Sequence, residues 1–218
     1  GHKITHTGNN SNKPLFSVCN GAEFTITDTE PVEDKITKTQ PLKGQGQELV
    51  TDNYGKTEKM LYEKDVPTKL TYYVTKSSVD TTDSTRTNEI TDKHEVTING
   101  AIVGTQADST MRLINVYAGG TFNLQKGVLT TTQNAKVGSL IYAENGSTVN
   151  MSGGYVCGAT SNSRGAGIEL GVKEGNGATL NLTNGVIAGN CAGAGGGVYA
   201  SGVGVPANDP NKTMTKIN

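Results

Sequence analysis

Apolar side chains in the middle of this chain recur at every second position. In LINVYAGGTFNLQKGVLT, which begins at Leu113, Ile114 and Val116, then Phe122 and Leu124, then Leu129 alternate with Asn, Thr and other residues. Period two predicts strands, because successive Cβ atoms of a strand point to opposite faces. The whole pattern then repeats. LIYAENGSTVNMSGGYVC begins at Leu140, GIELGVKEGNGATLNLTNGVIA at Gly167 and GVYASG at Gly197, so the first three starts are 27 residues apart and the last step is 30. A fixed period of this length is expected where each unit buries its apolar face only against its neighbours.

Overlaying the units predicts three interior files of like side chains. They are Ile114, Ile141, Ile168, Val198; Phe122, Val149, Leu180; and Leu129, Val156, Ile187. Gly127, Gly154 and Gly185 fall at one matching place, where the chain must turn with positive φ or pass close to a neighbouring backbone. Equivalent strands run parallel at about 4.8 Å per step. The expected fold is therefore all-β: a right-handed parallel β-helix of about 27 residues per coil and roughly five to six coils, its handedness taken from the general rule for parallel crossovers.

The segment LFSVCNGAEFTI from Leu15 aligns without a gap on LINVYAGGTFNL, and Ile4 precedes Leu15 by eleven residues just as Ile102 precedes Leu113. Residues 1–29 thus read as an N-terminal coil. Residues 30–94 form an insertion dominated by charged residues and Thr, and 95–218 resume the coils, with EVTING (Glu95 to Gly100) restarting a second strand. Within the insertion, KLTYYVT (69–75) is expected to supply the first strand of one further coil. A hairpin is expected in Lys43 to Thr75 and a mobile Asp- and Thr-rich tip at Ser77 to Asn88. Both ends of the chain fall in mid-coil, which reads as a segment cut from a longer protein, and end-to-end self-association of the open coils is expected. Gly1 and His2 read as a cloning remnant.

Composition narrows the function classes. With 19 Lys plus Arg against 20 Asp plus Glu, and no basic stripe or aromatic platform, the chain is not expected to bind nucleic acid. No apolar run is long enough for a membrane helix, so membrane insertion is not expected either. Cys19, Cys157 and Cys191 are an odd set and read as buried thiols. His2, His6 and His94 do not make a zinc pattern, and DTTDSTRTNE (Asp80 to Glu89) lacks the spacing of a calcium loop; no metal or cofactor is expected.

The stretches ENGSTVNMSGG, GGYVCG and NGVIAGNCAGAGGGVYASG resemble the degenerate repeats of pectate-lyase-like right-handed β-helix proteins, above all those of large surface proteins of Gram-positive gut bacteria. Gly189 to Tyr199 is also similar to the repeats of polymorphic outer-membrane adhesins. The resemblance covers Val96 to Gly202 well and Leu15 to Thr27 moderately. It implies an extracellular, secreted or wall-attached scaffold; function does not follow from it, since the same coil carries lyases, glycosidases, tailspikes and adhesins.

Candidate chemistry lies on the outward face of the first strand. One outward file reads Ser17, Asn115, Tyr142, Glu169, Tyr199 and a second reads Cys19, Tyr117, Glu144, Gly171. Glu144 and Glu169 are expected at a Cα separation of about 8 Å, near the range of an inverting glycosidase pair. Tyr117, Tyr142 and Tyr199 are expected to stack sugar rings. No Arg or Lys is expected nearby to assist proton abstraction. On the second strand Thr121 and Asn123, Thr148 and Asn150, Thr179 and Asn181 repeat as T-x-N, read as a hydrogen-bonded ladder in preference to an ice-binding face. The expected function is a non-catalytic adhesive or structural scaffold contacting host or dietary glycans through Asn115, Tyr117, Tyr142, Glu144, Glu169 and Tyr199. The alternative is part of a carbohydrate-active enzyme using Glu144 and Glu169.

Overall fold

The computed structural model describes residues 4–6, 13–27, 33–39, 59–64, 66–79, 87–105, 111–171, 177–201 and 215–218. All regular structure among them is β. The first strands are β1 (Ile4–His6), β2 (Phe16–Val18) and β3 (Glu23–Ile26). Four strands of the insertion follow: β4 (Glu33–Thr39), β5 (Lys59–Glu63), β6 (Val66–Val79) and β7 (Thr87–Thr97). The repeats supply β8 (Ile102–Gly104), β9 (Arg112–Val116), β10 (Thr121–Leu124), β11 (Val128–Thr131), β12 (Ser139–Ala143), β13 (Thr148–Cys157), β14 (Ile168–Leu170), β15 (Thr179–Ala188), β16 (Val198–Ala200) and β17 (Lys216–Ile217).

The repeats pair in parallel and in the expected register. One five-stranded sheet runs β16-β14-β12-β9-β2, and in it Ile114, Ile141 and Ile168 are successive partners, each wholly buried. A second sheet carries two runs joined through the long strand β13. One run is β3-β10-β13-β15-β17, with the file Phe24, Phe122, Val149, Leu180, Ile217; the other is β1-β8-β11-β13-β15, with the file Ile4, Ile102, Leu129, Val156, Ile187. Apart from the exposed end members Ile4 and Ile217, these files form the main core, to which Met111, Leu113, Leu140, Met151 and Leu170 add bulk. The bend inside β13 and β15 requires glycine. Gly154 and Gly185 have φ of 75° and 116°, and a Cβ on Gly154 would come within 2.9 Å of the Gly127 carbonyl.

A ladder of amides runs along the second-strand file. Asn218 Nδ2 donates to Asn181 Oδ1 (2.8 Å), Asn181 to Asn150 (2.7 Å) and Asn150 to Asn123 (2.7 Å). Asn123 Nδ2 ends the series by donating to Glu23 Oε1 and Thr25 Oγ1. Every amide points the same way, so their dipoles add, and the Glu23 carboxylate sits at the donor end.

The insertion departs from expectation. Residues 69–75 are not a strand of the parallel stack: they lie in β6, which pairs antiparallel with β5 on one side and β7 on the other, within the sheet β4-β7-β6-β5. The insertion adds no strand to the parallel sheets, because β2 and β3 pair directly with β9 and β10 and leave no gap to fill. Glu95 to Thr97, expected to restart a coil, end β7 instead. Residues 69–75 are a strand as expected, but the expected place in a parallel coil is overturned by antiparallel pairing on both sides. Leu70, Tyr72 and Val96 are buried in a second cluster with Val103, Val128, Cys157 and Ala188, so the antiparallel sheet rests on the outer side of the β8-β11-β13-β15 run. The expected hairpin is β5–β6, its turn placing Lys64 at φ 49°. Of the expected mobile tip, Ser77 to Val79 and Thr87 to Asn88 are paired strand; 80–86 lie outside the described residues.

Candidate functional site

The outward file of the five-stranded sheet brings four of the six expected ligand-contacting residues together. Asn115 partners Tyr142, Tyr142 partners Glu169, and Glu169 partners Tyr199, so these side chains stand in one row at strand spacing. Tyr117 and Glu144 belong to the neighbouring row, beyond the last residue of β9 and β12 respectively; Tyr117 is 37% exposed and Glu144 half-buried.

The row is less open than an outward strand face implies. Asn115 and Glu169 are only 3% and 7% exposed, and two arginines pack along the row. The Arg112 guanidinium lies 3.4 Å from the Tyr142 ring centroid. Arg164 donates from Nη1 to the Tyr199 hydroxyl (3.2 Å), lies 5.0 Å from that ring and reaches Glu169 Oε1 from Nε at 3.3 Å. The expectation that no Arg sits near the carboxylates is therefore overturned. One face of each ring is taken by a guanidinium, so a sugar has only the other face or must displace the arginine; a surface contact of this kind contributes about 0.5–1 kcal/mol.

Electrostatics follow from this packing. Burial raises the Glu169 pKa, and the pull of Arg112 and Arg164 in the other direction does not cancel it. Burial also raises the Tyr142 pKa; Arg112 opposes that shift, while Glu169 and Glu144 reinforce it. Three buried polar atoms, Arg112 Nε, Asn115 Oδ1 and Ser139 Oγ, find no hydrogen-bond partner among the described residues. Arg112 and Ser139 are register partners on adjacent strands. All three are closed to solvent, so an external ligand reaches them only by displacing what covers them.

Neither arginine nor Ser139 was among the residues singled out from sequence. The repeat alignment held the signal: Arg112 stands two before Ile114 as Ser139 stands two before Ile141, and Arg164 four before Ile168 as Ala194 stands four before Val198. Arg164 and Ala194 indeed bridge in parallel.

The remaining candidates fall elsewhere. Among the described residues no group of three His, Cys, Asp or Glu is placed to hold a metal. His94 stacks on Tyr72 at 4.5 Å, His2 lies outside the described residues, and His6 is in β1. Only Cys157 is buried, whereas Cys19 and Cys191 are exposed, correcting the reading of all three as interior thiols. Cys157 partners Ala188 and Cys191 bridges to Thr160, so those two are not stacked on each other. The T-x-N asparagines are engaged with one another in the amide ladder, leaving a face unlike the free hydroxyl and amide array an ice surface needs. No helix of the described residues is long and apolar enough to cross a membrane. No family model, curated protein or solved structure matches the chain.

Proposed function

We propose that this chain is a non-catalytic adhesive or structural segment of a secreted or cell-surface bacterial protein, wound as a right-handed parallel β-helix, whose outer face contacts host or dietary glycans. The winding explains why every parallel pair joins residues one repeat apart, and a rod built this way holds surface side chains in fixed rows. The observation that carries the glycan reading is the row Asn115, Tyr142, Glu169, Tyr199, in which half-buried tyrosines alternate with an amide and a carboxylate. Aromatic faces next to paired donors and acceptors are what a sugar uses.

A glycan panel tests this. Binding without product release, weakened about tenfold or more by Tyr142→Ala or Arg112→Ala, is expected; failure of the panel to bind, or binding indifferent to both substitutions, would refute it. The second reading, part of a carbohydrate-active enzyme, is favoured by one feature, the raised pKa of Glu169, which suits a general acid. Product release abolished by Glu144→Gln would select that reading.

A further inference from the structure

The inserted antiparallel sheet has two faces of different chemistry. Leu70, Tyr72 and Val96 face the parallel strands and are buried, so alternation turns Lys69 and Thr71 of β6, Lys93, Glu95 and Thr97 of β7, and Lys35 of β4 to the opposite, outer face. Register fixes their arrangement. Glu95 lies between Lys35 on one neighbouring strand and Thr71 on the other; Lys93 stands two residues before Glu95 on its own strand, and Lys69 two before Thr71. Three ammonium groups therefore surround one carboxylate. Lys93 Nζ pairs with Glu95 Oε1 at 3.0 Å. That hydrogen bond and the Lys93 charge, followed by the charges of Lys35 and Lys69, hold the Glu95 carboxyl below the usual carboxylate range. Lys35 and Lys69 are exposed and, among the described residues, have no carboxylate within ion-pair distance, so their charges are surplus. Glu33 and Lys59, register partners of Thr97 and Thr71, take outer positions on the two edge strands and are opposite in charge, which leaves that surplus unchanged.

We propose that this outer face docks a polyanionic glycan, one carrying sulfate or carboxylate groups along its length. By strand spacing the three lysines stand roughly 8–14 Å apart at Cα, so they reach successive charged groups of an extended chain and not one compact anion. A lysine meets such groups as a point charge on a flexible stem, which suits a chain that presents them at varied angles. Thr71 and Thr97, half-buried among the lysines, add hydroxyls for sugar oxygens. The outer rows hold no series of aromatic residues on which successive bases would stack, which disfavours a nucleic acid strand. The lysines come from three separate strands, so no basic run marks the cluster in the sequence. The face belongs to the antiparallel sheet, whereas the Tyr142 row belongs to the five-stranded parallel sheet, and neither reading rests on the other.

Calorimetric titration of the whole chain with dextran sulfate, and with uncharged dextran as the blank, tests the proposal; the thermal midpoint confirms that each variant is folded. Dextran sulfate is expected to bind, less tightly as salt is added, and dextran is expected not to bind. Lys35→Gln and Lys69→Gln should each weaken binding by about threefold or more and lower the salt slope by about one. Glu95→Gln removes the carboxylate at the centre of the cluster and should tighten binding by about threefold, a gain that a merely structural role would not give. Tyr142→Ala should leave dextran sulfate binding unchanged, which keeps this face distinguishable from the glycan row. The proposal is overturned if dextran sulfate binds no better than dextran, if neither lysine substitution moves its affinity, or if Glu95→Gln weakens it. Tighter binding of a single-stranded oligonucleotide or of phosphatidylserine vesicles at equal total charge would assign the face to another partner and overturn it as well.

Discussion

Glu169 shows how far a side chain's setting can depart from its position in a pattern. Alternation places it on the outer face, yet Arg164 and its neighbours in the row leave it 7% exposed, and burial raises its pKa. The consequence for stability has a definite sign. A carboxyl whose folded pKa lies above its unfolded value, about 4.3 for Glu, favours the folded state fully below that value and loses the contribution as pH rises through the folded pKa. The wild-type chain is therefore expected to lose stability relative to Glu169→Gln as pH rises above about 4. Urea midpoints of both proteins across that range check it; a constant difference would show that Glu169 titrates alike in both states. The two Arg–Tyr stacks around it were not legible because an arginine's reach, about four bonds beyond Cβ, lets it cover a neighbouring row that no alternation rule assigns to it.

Among the elements, the insertion was the least legible. Alternation in KLTYYVT identified a strand, but whether it would pair parallel within the stack or antiparallel with its own neighbours depends on which backbone groups are still unpaired, and β2 and β3 had already taken those of β9 and β10. The β5–β6 hairpin is tied down further by Tyr62, whose hydroxyl donates to the Gly158 carbonyl at 3.4 Å and whose pKa burial and then Cys157 push up to about 12. The base of the sheet is thereby tied to the parallel strands. Leu70 is wholly buried against the outer side of the parallel run, so Leu70→Ala is expected to cost about 2–5 kcal/mol in chemical unfolding. Deleting 43–88 should expose Val103, Val128 and Ala188 and lower the thermal midpoint; an unchanged midpoint would mean that this cluster contributes nothing.

Across the whole molecule, stability passes from repeat to repeat through shared files. The Asn150 side chain in mid-ladder bonds both ways, whereas among the described residues the Asn218 side chain bonds to Asn181 alone. Asn150→Ala leaves a donor on Asn181 and an acceptor on Asn123 without partners and is expected to cost about 1–3 kcal/mol, against less than about 1 kcal/mol for Asn218→Ala; denaturant titration of the two side by side decides it, and equal costs would mean that the ladder is decorative. The parallel strands, their register, the interior files and the positive-φ glycines were all readable in advance, because period two and a recurrence at 27 residues are local facts that allow few packings. The direction of the inserted sheet, its burial against the repeats, the lysines gathered on its outer face and the arginine covers needed the third dimension. Each depends on which groups remain unsatisfied after the repeats have paired, and that remainder is a property of the assembled backbone, not of any one stretch of chain.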